Sequence, residues 1–251
     1  MLRFLDEAAQ GTPVLLCLAG NLCSPAVFDR IQVPDFMQKV RLDYLGAPGP
    51  WDMDSMGFEL VRLIEGLGDV PVILAGYSAG GVLAISAASK APERVAGLAL
   101  SNTGPCSIGH GNPGFARELR ENYDDEAYIR QFLASCFYKQ PGEETLAALW
   151  RYTRGVDREA AVEVSSSLRK VDYREPLKAY RGPAAVIHGR LDKRRGMDSV
   201  EMICGCLPQA EVTLLETGHT PMWEDATGYQ KALDKLIFRV FPERAGSGRR
   251  P

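Results

Sequence analysis

Val70-Pro71-Val72-Ile73-Leu74-Ala75-Gly76-Tyr77-Ser78-Ala79-Gly80-Gly81-Val82-Leu83-Ala84-Ile85-Ser86-Ala87-Ala88 is the stretch whose reading decides the fold. It runs from a continuous apolar segment, through a G-x-S-x-G pentapeptide, into a small-residue helical segment. A strand, a sharp turn and a helix are the context in which this pentapeptide presents its serine. The turn forces Ser78 into a strained backbone conformation that tiny flanking residues permit, and Gly76 and Gly80 stand two positions either side. The serine is pushed into a cleft, and the following helix points its first N–H groups at whatever binds there.

Working outward, Val14-Leu15-Leu16-Cys17-Leu18-Ala19 reads as a strand buried on both faces of a parallel sheet. A second strand is expected over 40–45, followed by the turn-rich Gly46-Ala47-Pro48-Gly49-Pro50. A helix capped by Asp54 or Ser55 should run to about Leu67, with Met56, Leu60, Leu63, Ile64 and Leu67 at helical spacing. The elbow strand and its helix come next, the helix ending near Ala91-Pro92, and a further apolar strand covers 95–100. Strands alternating with helices over long connections mean a parallel sheet covered by helices.

The rhythm then breaks. Four glycines and two prolines between Gly104 and Gly114 mark a linker, and residues 115–170 read as helical, with charges and aromatics interspersed. Strand and helix alternation resumes with Pro183-Ala184-Ala185-Val186-Ile187-His188, a helix over 197–206, a strand over 211–215 and a last helix over 221–240. The expected organisation is one discontinuous α/β domain, 1–106 plus 172–251, with a helical cap at 107–171. The tail 244–251 is expected to be disordered.

The chain has 251 residues, 45% apolar and 24% charged, ordinary for a single large globular domain. A net charge of -3 gives no footprint for nucleic acid. The basic run Lys193-Arg194-Arg195 reads as a solvated loop rather than an anion site. No apolar stretch is long enough to span a membrane, and the acids Asp6 and Glu7 stand where a secretory signal needs its apolar core. Cytoplasmic residence is the resulting expectation. None of the six cysteines forms a C-x-x-C pair, Cys204-Gly205-Cys206 is too tight for the usual zinc spacing, and all six read as reduced.

A serine hydroxyl needs a base to take its proton and a third group to orient that base. The chain offers three histidines. His188 ends an apolar strand and reads as a packed structural residue. His110 lies in the glycine-rich linker, exposed or at a hinge. His219 follows the last predicted strand, at the sheet edge where open α/β folds bind ligands, and is the expected base. Asp192, just after the strand ending at His188, is the expected orienting acid; alone it would read as a turn residue. Asp198 and Glu201 belong to the next helix, and Glu216 would serve only in an unusual loop. Donors for a developing oxyanion are expected from the backbone of Ala79 and of Asn21, with Leu22 the lesser alternative.

The elbow Gly76-Tyr77-Ser78-Ala79-Gly80-Gly81, the segment His188-Gly189-Arg190-Leu191-Asp192 and the segment Gly218-His219-Thr220-Pro221-Met222-Trp223-Glu224 together resemble the α/β-hydrolase superfamily over nearly the whole chain. Leu98-Ala99-Leu100-Ser101-Asn102-Thr103 looks like its small single-domain members, which include enol-lactonases and short esterases. The resemblance implies an α/β-hydrolase fold, a mostly parallel twisted sheet flanked by helices, with a cap inserted between the family's sixth and seventh strands. Two departures stand out. Ala19-Gly20 replaces the His-Gly that many members carry before the oxyanion loop, and the opening hairpin is truncated or absent. A serine nucleophile argues against the aspartate-dependent dehalogenase and epoxide-hydrolase branches.

The expected function is a serine hydrolase of esters, thioesters or lactones, with Ser78 as nucleophile, His219 as base and Asp192 orienting it. No cofactor and no metal is implied. The same site used for acyl transfer, cyclisation or lyase chemistry is the first alternative, and a non-catalytic ligand receptor on the same fold the second. The substrate is expected to be a small apolar or aromatic acyl compound, handled by a monomer or homodimer without nucleic acid or membrane partners. Candidate substrate contacts are Gly20, Leu22, Tyr77, Phe132, Phe137, Trp150 and Trp223. The cap supplies most of the aromatics (Phe115, Tyr123, Tyr128, Phe132, Phe137, Tyr138, Trp150 and Tyr152), more of them expected in its own core than on substrate. The glycines at 104, 109, 111 and 114 would let such a cap move.

Overall fold

The computed structural model describes residues 2–108 and 111–245. Its centre is a seven-stranded sheet built from β1 (Arg3–Phe4), β2 (Val14–Leu18), β3 (Gln38–Asp43), β4 (Val72–Tyr77), β5 (Gly97–Ser101), β6 (Ala184–Gly189) and β7 (Glu211–Leu215). The spatial order is β1-β3-β2-β4-β5-β6-β7, with only β1 antiparallel to its neighbour. The central strands β2, β4, β5 and β6 are buried at every position, so their alternate side chains enter two separate cores. Val14, Leu16 and Leu18 pack on one side with Val72, Leu74, Leu98 and Leu100. Leu15 and Cys17 pack on the other with Ile73, Ala75, Ala99 and Ile187.

Helix α1 (Met53–Gly66) and helix α2 (Ala79–Lys90) cover the first face. Asp52 caps α1, its carboxylate accepting from the amides of Asp54 and Ser55, so the expected cap moves two residues upstream. The strands observed at 38–43 and 72–77 likewise lie two residues from their expected spans, whereas α8 (Met197–Cys206) and β7 fall as expected.

Four helices lie between β5 and β6: α3 (Phe115–Glu121), α4 (Glu126–Ala134), α5 (Glu143–Arg154) and α6 (Arg158–Ser167), with the single turn α7 (Arg174–Leu177) after them. This insert follows the fifth strand rather than a sixth, because one two-residue strand, β1, stands where the family's opening hairpin would be. The last helix is divided. The turn α9 (Pro221–Glu224) ends at Asp225, whose carboxylate caps α10 (Ala226–Val240) through the Gly228 amide. Helix α10 covers the second face through Tyr229, Leu233, Leu236 and Ile237. His110 and most of the expected tail lie outside the described residues, as does Gly109 of the expected hinge.

Candidate active site

Parallel strands β4, β5 and β6 end at the same edge of the sheet, and the segments leaving that edge carry Ser78, Asn102 and Asp192. Ser78 sits between β4 and α2 with φ 54° and ψ −119°. A non-glycine residue held at positive φ costs on the order of 1–3 kcal/mol and persists only where its surroundings over-determine it. Here the Ser78 amide donates to the Ser101 carbonyl at 3.0 Å. The Ser78 carbonyl accepts from the Gly81 and Val82 amides and, at 2.7 Å, from Thr103 Oγ1. Close packing completes the turn: a Cβ on Gly80 would lie 2.2 Å from the Leu18 carbonyl oxygen, a distance no side chain tolerates.

His219 Nε2 lies 3.0 Å from Ser78 Oγ, and His219 Nδ1 lies 2.7 Å from Asp192 Oδ2. The three residues expected from sequence thus form one hydrogen-bonded chain, although 141 positions separate Ser78 from His219. The Asp192 side chain is fully buried and His219 is 5% exposed. Burial pushes the Asp192 carboxyl up. The charge of His219 and hydrogen bonds from His219, Asn102 and the Arg194 amide more than offset this, bringing it down to about 2. The carboxylate therefore stays ionised and fixes a proton on His219 Nδ1, which leaves Nε2 free to accept from Ser78.

Two residues missed in the sequence support this chain. Asn102, at φ 46° just beyond β5, donates from Nδ2 to Asp192 Oδ2 at 2.6 Å and accepts the Gly189 amide on Oδ1 at 3.2 Å. Glu224 accepts the Gly218 amide on Oε1, and the Tyr138 and Lys139 amides on Oε2. It ties the His219 loop to the segment between α4 and α5. A second tie runs from Tyr77 Oη to Thr220 Oγ1 and on to the Cys136 carbonyl. The Ser-Asn-Thr run after the elbow helix and the acid five residues past His219 were visible, but no local pattern assigns them partners.

The loop Gly20 to Cys23 packs directly beside Ser78, since a Cβ on Gly20 would lie 3.2 Å from Ser78 Cβ. The loop closes as a turn, the Cys23 amide donating to the Gly20 carbonyl at 3.1 Å. The amides of its two central residues, Asn21 and Leu22, are not used in that closure. Leu22 holds φ 60°, and its carbonyl accepts from Thr153 of α5 at 3.2 Å. The Asn21 side chain donates to Ala161 and Ser165 of α6 at 2.8 and 2.7 Å. Where many hydrolases carry histidine, the Ala19 carbonyl accepts from Tyr44 at 2.9 Å. Ala79 is the first residue of α2, and the opening N–H groups of a helix have no intrahelical partner.

A cavity of about 340 Å³ opens over Ser78. Gly20, Leu22, Tyr77, Phe132 and Phe137 line it as expected, joined by Phe115 from α3 and Leu149 from α5. Trp150 and Trp223 do not line it. Trp150 packs against the core with Arg154 beside its ring, and Trp223 carries the Arg30 guanidinium 3.8 Å from its ring centroid. The solvated-loop reading of Lys193-Arg194-Arg195 holds for Lys193, which is exposed at the cavity's edge, and is corrected for Arg194 and Arg195, which are half-buried and line the cavity. His188 is buried in β6 with Nε2 3.1 Å from the Arg195 carbonyl. All six cysteines are free thiols. Cys23 and Cys136 line the cavity, but burial pushes their thiols up to about 12 and about 11.

Among the described residues, no helix is long and apolar enough to cross a membrane. Comparison with known proteins agrees with the architecture. Over 94% of this chain and 95% of that one, the fold superposes on the enol-lactonase of Burkholderia xenovorans LB400, with a TM-score of 0.81 at 19% identity. An esterase from Exiguobacterium antarcticum gives a TM-score of 0.81 at 18% identity, covering 94% of both chains. Lipase LipV of Mycobacterium tuberculosis is 34% identical over 70 residues, which is 28% of this chain and 26% of that lipase. The match therefore spans about a quarter of the lipase's length. The alpha/beta hydrolase fold family matches residues 46–226, and the chain belongs to that family.

Proposed function

We propose that this protein is a serine hydrolase that cleaves an ester, thioester or lactone through an acyl-enzyme. The observation that carries the reading is the chain Ser78 Oγ–His219 Nε2–Asp192, closed at 3.0 and 2.7 Å beneath a cavity large enough for a small substrate. Family membership and the likeness to esterases and an enol-lactonase support it.

Ser78 Oγ attacks the carbonyl carbon while its proton passes to His219 Nε2. The carbonyl oxygen becomes an oxyanion, stabilised by the amides of Ala79 and Asn21. The intermediate collapses with cleavage of the bond to the leaving alcohol or thiol, which takes the proton from His219. Water then attacks the acyl-Ser78 ester, giving its proton to His219 and its oxygen to the acid product. Ser78 recovers its proton as the acid leaves. The buried Asp192 carboxylate stabilises the imidazolium formed in each half.

Residues 107–171 act in this reading as the cap that selects the substrate. Phe115, Phe132, Phe137 and Leu149 from this segment line the cavity, whereas Ser78, Asp192 and His219 all come from the sheet edge. The test is product analysis in isotope-labelled water with a simple para-nitrophenyl ester. One labelled oxygen in the acid product, lost in Ser78→Ala, fits hydrolysis. An unlabelled acyl product, or wild-type turnover by Ser78→Ala, contradicts it.

A further inference from the structure

The cavity over Ser78 has walls of two kinds. Phe115, Phe132, Phe137 and Leu149 make one side apolar. Lys193, Arg194 and Arg195, which follow Asp192 in the chain, line it as well, and Arg169 reaches it from beyond α6. Among the described residues, no aspartate or glutamate lines this space. The protein carries a net charge of -3, so a cavity edged by four cations runs against its overall composition.

The two arginines are held in place. Arg194 lays its guanidinium 4.4 Å from the Phe132 ring centroid and 5.7 Å from that of Phe115, and donates from Nη1 to Ser135 Oγ at 2.8 Å. Its backbone amide donates to Asp192 Oδ1 at 2.7 Å, which anchors the residue beside the reacting groups. Arg195 donates from Nη2 to Ser107 Oγ at 2.5 Å. Among the described residues, neither guanidinium forms an ion pair; their side-chain partners are neutral hydroxyls and aromatic faces. Burial lowers the pKa of Arg195, against the pull of Asp192 and Asp198, and the charge of Arg169 adds to the lowering. Taking a cation out of water is costly, and a ligand that sets an anion in direct contact with it recovers part of that cost.

We propose that the substrate carries a carboxylate on its acyl portion, received by Arg194 and Arg195 while its ester carbonyl lies at Ser78. The inference rests on the hydrolase reading above and deepens it. Arg194 spends Nη1 on Ser135, and the other N–H groups of its planar fork match the two oxygens of a carboxylate. Phe115 and Phe132, which carry Arg194, also supply the apolar wall for the methylenes between the two ends. The acyl group is thus apolar in its middle and anionic at its tip.

The experiment uses para-nitrophenyl half-esters of succinate, glutarate and adipate, each paired with a neutral acyl ester of the same chain length. At least one half-ester should exceed its neutral partner in kcat/KM by about tenfold, chiefly through KM, and the preference should shrink as salt is raised. Arg194→Gln and Arg195→Gln should each bring that ratio down at least about fivefold, with Arg194→Lys intermediate. Calorimetric binding of glutarate to the wild type and to Arg194→Gln separates the two levels of the argument. Neutral esters cleaved with no preference for any half-ester would overturn the carboxylate proposal and leave the hydrolase reading standing. No ester cleaved, yet glutarate bound in an Arg194-dependent way, would overturn the hydrolase reading and leave the anion site standing.

Discussion

Asn102 Nδ2 lies 2.6 Å from Asp192 Oδ2, the same oxygen that receives His219 Nδ1 at 2.7 Å. One carboxylate oxygen thus serves two donors on different segments, while Oδ1 takes the Arg194 amide. The acid is held from three directions. In the proposed reaction Asn102 acts as a positioning residue, through Asp192, and it can hold its positive φ because asparagine tolerates that region better than most side chains.

Asn102→Ala should therefore lower kcat about 10- to 100-fold and leave KM little changed. The range corresponds to one hydrogen bond to a charged group, about 1.5–3 kcal/mol. Steady-state kinetics on a para-nitrophenyl ester measures it. A loss carried by KM alone would show that Asn102 touches the substrate instead.

Asp192 makes stability depend on pH with a definite sign. Its carboxyl lies at about 2 in the folded chain and near its ordinary value of 3.8 when unfolded. The stabilisation, on the order of 2 kcal/mol, is fully present above the unfolded value and is lost as pH falls through about 2. Urea unfolding of the wild type and Asp192→Asn should show a stability difference that is steady from pH 7 to about pH 5. It should narrow progressively below about pH 4. A difference independent of pH would contradict the assignment.

Glu224 joins two segments that are distant in sequence, through the Gly218 amide on one side and the Tyr138 and Lys139 amides on the other. Glu224→Ala should loosen both. Hydrogen exchange at Tyr138 and Lys139 should quicken about tenfold, equivalent to about 1.4 kcal/mol of lost local stability, and kcat should fall. Unchanged exchange there would mean that the clamp contributes nothing to the cap's position.

Cys23 and Cys136 line the cavity, yet burial holds their thiols at about 12 and about 11, so little thiolate exists near neutrality. Iodoacetamide at pH 7 should leave both unmodified in the folded protein while a fluorophosphonate modifies Ser78. Peptide mass spectrometry reads both outcomes in one sample.

The sheet and the three-residue chain were legible in the sequence because each has a local signature. Apolar runs bounded by turns mark strands buried on both faces, and Ser78, Asp192 and His219 each leave the sheet at its carboxyl edge. The support around them was not legible. Asn102 and Glu224 act through partners 90 and 86 residues away, and nothing near them in sequence names those partners. Arg194 and Arg195 look like a solvated basic run until the insert is folded over them. Trp150 and Trp223 misled for the converse reason: large aromatics near a site are as readily spent on packing, and here an arginine lies beside each ring.

The central claim is that Ser78 is activated by His219 and forms an acyl-enzyme. The most direct measurement is intact-protein mass spectrometry after brief mixing with a para-nitrophenyl ester, applied to wild type, Ser78→Ala and His219→Ala. The wild type should gain the mass of one acyl group at Ser78 and lose it with time, with both variants unmodified and slower in turnover by several orders of magnitude. Acylation of Ser78→Ala at the wild-type rate, or release of para-nitrophenol by that variant at the wild-type rate, would contradict the account.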